Sequence, residues 1–389
     1  MANFDFDNSV DRKGSNSAKW EYMKKISPYA DDNTLPLWVA DMDFACAPEI
    51  VEAMKQRVDG QIFGYSMVDS SYYESVQNWF FKRFDWYVKT DDIYLTSGVI
   101  PALESIIRAY SDERDGVIIQ PPVYHMFAKV VEREDRCIVN NPLIETDGVY
   151  SIDFDDLEQK ARNPDNKIML FCSPHNPTGN VWSQADLLKL GNICLNNDVL
   201  LVSDEIHFDL VRMGVEHYPI STLFPNSDKI ITCTAPSKTF NLAGLHMSNV
   251  IIESRELKDK WEAKNGFSMP SPLGIVAVTA AYNFGEPWLE ALKAYIDANY
   301  SFAKSFVEQH IHKAQFTTPQ GTYFIWLDLK EYKLSSKQLD TLMIRKANVL
   351  LEGGTMFGIE GEGYQRINIA CTRQTLKEAL TRISKALNE

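Results

Sequence analysis

Several features are scarce in this sequence, and each shortage closes off a class of protein. The 389 residues hold six cysteines, Cys46, Cys137, Cys172, Cys194, Cys233 and Cys371, with no C-x-x-C spacing among them. That excludes a disulfide scaffold and a thioredoxin-like redox motif, and leads us to expect reduced, mostly buried thiols in a cytoplasmic protein. No apolar run approaches the ~20 residues that a membrane-spanning helix needs. The opening MANFDFDNSVDRKG has no apolar h-region, so no signal peptide is expected. Positive charge is in deficit, with 39 Lys and Arg against 53 Asp and Glu for a net charge of −14. Such a balance argues against nucleic acid and anionic membrane surfaces as partners, because both are held by basic faces. It leaves room for a small basic pocket that takes an anionic ligand. Internal repeats and low-complexity tracts are also missing.

What remains is an ordinary globular composition, 45% apolar with 12% aromatic residues, long enough for one large domain and a smaller one. Short apolar runs alternate with longer helical patterns. The strand candidates are 93–97, 116–120, 137–140, 167–173, 199–204, 229–234 and 248–253. The helix candidates are 46–58, 71–84, 99–111, 183–197, 273–284 and 288–312. Val, Ile and Leu runs without polar alternation indicate strands covered on both faces, and their alternation with helices indicates a mainly parallel α/β sheet. After about residue 285 a long amphipathic helix leads into TYFIWLDL (322–329), another helix, RINIACT (366–372) and a last helix. We expect a large domain over 46–284, and a smaller α+β domain built from 1–45 and 285–389.

One stretch breaks the charge statistics. IITCTAPSKTFNLAGLHMSNVII, Ile230 to Ile252, contains Lys238 and no other Asp, Glu, Lys or Arg. Burying an unpaired ammonium costs several kcal/mol on a rough scale, so Lys238 either reaches solvent or has a use that offsets the cost. Ligands of open α/β sheets bind beyond the carboxyl ends of the strands. Ser97-Gly98 follows IYLT (93–96), Pro174-His175-Asn176-Pro177-Thr178-Gly179 follows 167–173, Asp204-Glu205-Ile206-His207 follows VLLVS (199–203), and Ala235-Pro236-Ser237-Lys238 follows 229–234. A glycine turn before a helix offers the amides of Gly98, Val99 and Ile100 to a phosphate. A lysine in apolar surroundings has a depressed pKa and can form a Schiff base. A carboxylate such as Asp204 can keep a ring nitrogen protonated, and a pyridinium is a good electron sink. Phosphate, aldehyde and pyridinium together describe pyridoxal 5′-phosphate.

SPHNPTGNVW, VSDEIHFDL and APSKTFNLAGL occur in an order and spacing that resemble the fold-type I pyridoxal-phosphate enzymes of the aspartate aminotransferase superfamily, from about residue 20 to the end of the chain. LPLWVADMDF (35–44), GVIPAL (98–103) and PPVYHMF (121–127) resemble its cystathionine β-lyase, or C–S lyase, branch. The resemblance implies that Lys238 carries the cofactor as an imine and then acts as the base at Cα, and that Asp204 pairs with the ring nitrogen. Asn176 and His207 would lie near the ring hydroxyl, His207 standing where many relatives have Tyr. Tyr124 would stack on one ring face and Ile206 pack on the other. Val99 and Ile100 amides, Thr234 or Ser237, and Tyr65 from a partner subunit of a homodimer would serve the phosphate. Arg366, with Asn176, would hold the substrate carboxylate. The chain departs from many aminotransferases at two phosphate positions, where His246 replaces Arg and Ala235 replaces Ser.

Carbon–sulfur β-elimination on cystathionine, cysteine or cysteine S-conjugates is the leading expectation, and transamination the alternative. A binding protein with vestigial catalysis and a cofactor-free Schiff-base aldolase are weaker readings, since Lys238, Asp204, Asn176 and Arg366 are all present. His175 and His207 beside Asp204 and Glu205 lack a second cluster that would make a metal site, so no metal is expected and His175 reads as a loop histidine.

Overall fold

A computed structural model describes residues 4–265 and 269–389; positions 1–3 and 266–268 of the two expected domains lie outside the described residues. Among the described residues the largest sheet has seven strands: β1 (Ile93–Thr96), β2 (Gly116–Ile119), β3 (Cys137–Asn140), β4 (Asn166–Cys172), β5 (Leu200–Asp204), β6 (Ile230–Thr234) and β7 (Ser248–Ile251). Their spatial order is β1-β7-β6-β5-β4-β2-β3. Every pairing from β6 to β3 is parallel, and β7 runs antiparallel to both its neighbours, β1 and β6. Two reversals cancel, so β1, β4, β5 and β6 all end on one edge. Strands β2, β5 and β6 are buried along their whole length, which is why they lack a polar alternation. Helix Val99–Tyr110 packs Ala102, Leu103, Ile106 and Ile107 against Val202, Ile231 and Val250 of the sheet.

A three-stranded antiparallel sheet follows, β8 (Phe324–Asp328), β9 (Glu352–Gly353) and β10 (Tyr364–Asn368), in the order β8-β10-β9. Helices Glu286–His310 and Arg373–Asn388 lie before and after it. Leu35 and Pro36 pair in parallel with Val349 and Leu350, tying the first part of the chain to the last.

The structure shifts one expected strand and adds a hairpin. The run 366–372 is strand only to Asn368, and the strand begins two residues earlier, at Tyr364. Beyond Asn368 the backbone turns to other partners: Ile369 N–H donates to Tyr323 and the Ala370 carbonyl accepts from Asp43 N–H. Ile144–Thr146 and Val149–Ser151 form a two-stranded hairpin around Asp147-Gly148, whose φ values are +52° and +76°. An Asp-Gly pair is the usual turn for such geometry, so a local signal for this hairpin was present.

Candidate active site

Beyond the shared strand edge lies a cavity of about 210 Å³. Gly98, Val99, Ile100, Tyr124, Asn176, Asp204, Ile206, His207, Ser237, Lys238 and His246 line it, as do Ala40, Ser97 and Cys172. Most of the residues singled out in the sequence therefore converge on one space. Three do not line it. Thr234 ends β6 fully buried, with Oγ1 unpartnered. Tyr65 is 96% exposed. Arg366 stands one side chain behind the wall, in contact with Asn176.

Gly98 precedes helix Val99–Tyr110 with φ +148° and ψ 163°. This is a conformation that essentially only glycine adopts, and it turns the chain sharply from β1 into the helix. The first turn of a helix has no internal acceptors for its amides. Pro101 has no N–H and Ala102 N–H returns to Gly98 O at 3.1 Å, which leaves Val99 and Ile100 as the amides facing the cavity. Together with the positive end of the helix dipole they make an anion cradle. Half-buried Ser237 adds a hydroxyl at the wall.

Asp204 closes β5. Its carboxylate is buried, and Oδ1 accepts Ile206 N–H at 3.1 Å. Burial pushes this acid up from 3.8 to about 7; the Ile206 amide pulls it down, Glu205 pushes it further up, and Lys238 opposes that. Glu205, next in sequence, points elsewhere: it accepts from Ser203 Oγ, Ile220 N–H and His217 Nε2, each at 2.9 Å. His207 is buried, with Nδ1 unpartnered. Burial first, then the charges of Lys238 and Arg366, hold it well below its ordinary value, so the imidazole is neutral. Burial also raises the Tyr124 phenol to about 12.

Lys238 is half-buried at the cavity wall. Its ammonium donates to Ala40 O at 2.7 Å, within the LPLWVADMDF segment. Burial, and then Arg366, lower it from 10.5 to about 8, against the opposing pull of Asp41, Asp204 and Glu352. The segment Trp38–Met42 is held by several site residues. Trp38 O accepts from Arg366 at 3.1 Å, Ala40 O accepts from Tyr323 at 3.0 Å, and Asn368 Nδ2 donates to Val39 O and Asp41 O. By composition this segment is mostly packing, with a part of it expected near the substrate mouth; its site contacts use backbone carbonyls, which no side-chain pattern reveals.

Arg366 is 1% exposed. Its Nη1 donates to Asn176 Oδ1 at 2.8 Å, and its guanidinium lies 4.0 Å from the Phe324 ring centroid and 5.0 Å from that of Phe357. It is also ion-paired with Glu352, a residue that sequence reasoning passed over. His175 is fully buried against Trp182, with Nδ1 2.8 Å from Thr178 Oγ1, and burial lowers it to about 3. It is therefore a neutral histidine in the loop between Cys172 and Gln184, as expected, but fully buried there. Among the described residues no group of three or more His, Cys, Asp or Glu side chains is arranged to hold a metal ion.

The chemistry of the wall fits pyridoxal phosphate. It offers an amine that is easily deprotonated, an acid with one oxygen free, two helix-terminal amides, an aromatic face and an unpartnered imidazole nitrogen.

Comparison with known proteins agrees. A model of the family "aminotransferase class I and II" matches residues 32–383. The chain is 42% identical over 387 residues to cystathionine β-lyase PatB of Bacillus subtilis, covering 98% of this chain and all of the relative. Among solved structures it resembles cystalysin from Treponema denticola, which contains pyridoxal 5′-phosphate (TM-score 0.95, 38% identity, 99% of both chains). It also resembles a PLP-bound C–S lyase from Staphylococcus hominis in complex with L-cycloserine (TM-score 0.95, 37% identity, 99% of this chain and 98% of the other).

Proposed function

Because the chain belongs to the class I and II aminotransferase family, we propose that it is a pyridoxal-phosphate-dependent carbon–sulfur β-lyase. It cleaves cystathionine, L-cysteine or cysteine S-conjugates to pyruvate, ammonia and a thiol. One observation carries the reading: Lys238, Asp204, Asn176, His207 and the Val99 and Ile100 amides share one cavity in a chain that matches a cystathionine β-lyase from end to end.

The amides of Val99 and Ile100, with Ser237, would hold the phosphate. Tyr124 and Ile206 would clamp the ring, and Asn176 and His207 would hold its hydroxyl. Bound there, pyridoxal phosphate supplies a carbonyl that condenses with the substrate amine and a protonated ring that accepts the electron pair left at Cα. Lys238 Nζ, lowered to about 8, has an appreciable neutral fraction near pH 7 and removes the Cα proton. Asp204 holds the proton on the ring nitrogen. Arg366 orients the α-carboxylate, aided by Asn176. The C–S bond breaks with its electron pair on sulfur, and Lys238 keeps the abstracted proton within reach for return. For cystathionine the balance is cystathionine plus water to homocysteine, pyruvate and ammonia.

The two expected domains, 46–284 and 1–45 with 285–389, would place Arg366 on one and Lys238 on the other, with the substrate between them. A homodimer is part of the proposal. Ile62, Phe63, Tyr65 and Met67 are all more than half exposed, an apolar stretch that a second copy would cover while bringing its Tyr65 to the phosphate. Six free cysteines suit a reducing cytoplasm, and no described helix is long and apolar enough to cross a membrane. The test is incubation of the holoenzyme with L-cystathionine and no added 2-oxo acid, assaying pyruvate and free thiol. Product formation is expected. Strict dependence on an oxo acid would make the enzyme an aminotransferase instead.

A further inference from the structure

Strands β9 and β10 set Glu352 directly across from Arg366, and the two side chains, 10% and 1% exposed, form an ion pair. A guanidinium offers a carboxylate two bidentate edges, Nη1 with Nη2 or Nε with Nη2. Both edges need Nη2. Here Nη2 donates to Trp38 O at 3.1 Å and has the Glu352 carboxylate against it as its ion-pair partner. Nη1 is engaged by Asn176 Oδ1 at 2.8 Å, and Nε has no partner. Neither edge is open to a substrate. Glu352 is nevertheless not a surplus residue, since a buried Arg366 without a counter-charge would be strongly destabilising.

We propose that Glu352 is a built-in competitor for Arg366, a carboxylate that the α-carboxylate of an amino-acid substrate must displace and that returns when the product leaves. This rests on the reading of Arg366 as the carboxylate receptor. Binding then exchanges one Arg–carboxylate pair for another, so the affinity reflects a difference between two similar interactions and not a full salt bridge. Pyruvate, itself an α-carboxylate, is subject to the same competition, and Glu352 speeds its departure. Glu352 thus sets affinity for both ends of the reaction without touching the bond that breaks.

The experiment is calorimetric titration of the holoenzyme with propionate, which has the carboxylate but no amine to condense with the cofactor. Glu352→Gln keeps size and a neutral acceptor while removing the competing charge, and should bind propionate at least about fivefold more tightly than wild type. Equal or weaker binding overturns the proposal. Arg366→Ala, run alongside, separates the two ideas. If it weakens propionate while Glu352→Gln changes nothing, only the role of Glu352 fails. If it leaves propionate binding intact, the receptor assignment itself fails and this inference with it. A crystal structure of wild-type holoenzyme with propionate gives a check that needs no variant. Glu352 should have left Nη2, and a retained Glu352–Nη2 contact beside bound propionate refutes displacement.

Discussion

Replacing Asp204 by Asn should make the cofactor-free protein more stable as it destroys the catalyst, and the gain should depend on pH. Without cofactor, burial pushes the Asp204 carboxyl up to about 7, against an ordinary 3.8. That displacement corresponds to about 4 kcal/mol, at 1.36 kcal/mol per pH unit. The sign follows from proton linkage. Between pH 4 and 7 the folded chain holds a proton at this site that the unfolded chain has released, so stability falls as pH rises. The contribution is fully present below the unfolded value, lost through about 7 and flat above. Asparagine has the same shape, can still accept Ile206 N–H, and does not titrate. Urea midpoints of apo wild type and Asp204→Asn should nearly coincide at pH 4, then separate by about 1.4 kcal/mol per pH unit to a plateau of roughly 4 kcal/mol above pH 7. Adding pyridoxal phosphate at pH 8 should close the gap, because a protonated ring supplies the missing cation to wild type alone. A difference that is constant with pH, or that shrinks as pH rises, would refute the claim that Asp204 is held in an environment hostile to its charge.

Lys238→Ala should abolish covalent retention of the cofactor after borohydride treatment, read by intact-protein mass, and lower turnover by at least about 10³-fold, since both the tether and the base are lost. Arg366→Lys keeps the charge and loses the fork. KM for the amino-acid substrate should rise at least about tenfold with kcat changed far less, and an unchanged KM would remove Arg366 from substrate binding. Gly98→Ala meets no steric obstacle, as a Cβ there would approach only Pro101 Cδ at 3.6 Å. The backbone conformation alone should cost about 1–3 kcal/mol, seen as a lower melting temperature with weaker phosphate retention; an unaltered protein would mean that the turn does not need glycine.

The central sheet was legible because its strands are covered on both faces and read as unbroken apolar runs. So were the residues at their carboxyl ends, since parallel strands deliver whatever follows them to one edge. The direction of β7 was not legible: buried parallel and antiparallel strands have the same composition, and only hydrogen-bond partners separate them. The shifted end of β10 has a similar cause, because Ile369 and Ala370 look like strand residues but spend their backbone groups on Tyr323 and Asp43. That His175 sits in a loop was legible, but not its burial, because local sequence does not report that Trp182 packs against it.

The order and type of the chemical groups, an amine, an acid, an amide cradle and a guanidinium, are properties of the chain itself, since each sits at a fixed offset from a strand or helix that its own neighbours form. Which of these groups are free and which are already engaged was decided by folding. The Ala40 carbonyl on Lys238 and the Glu352 carboxylate on Arg366 come from segments 198 and 14 residues away in sequence. Such pairings depend on which elements pack side by side, and no local pattern of residues encodes that.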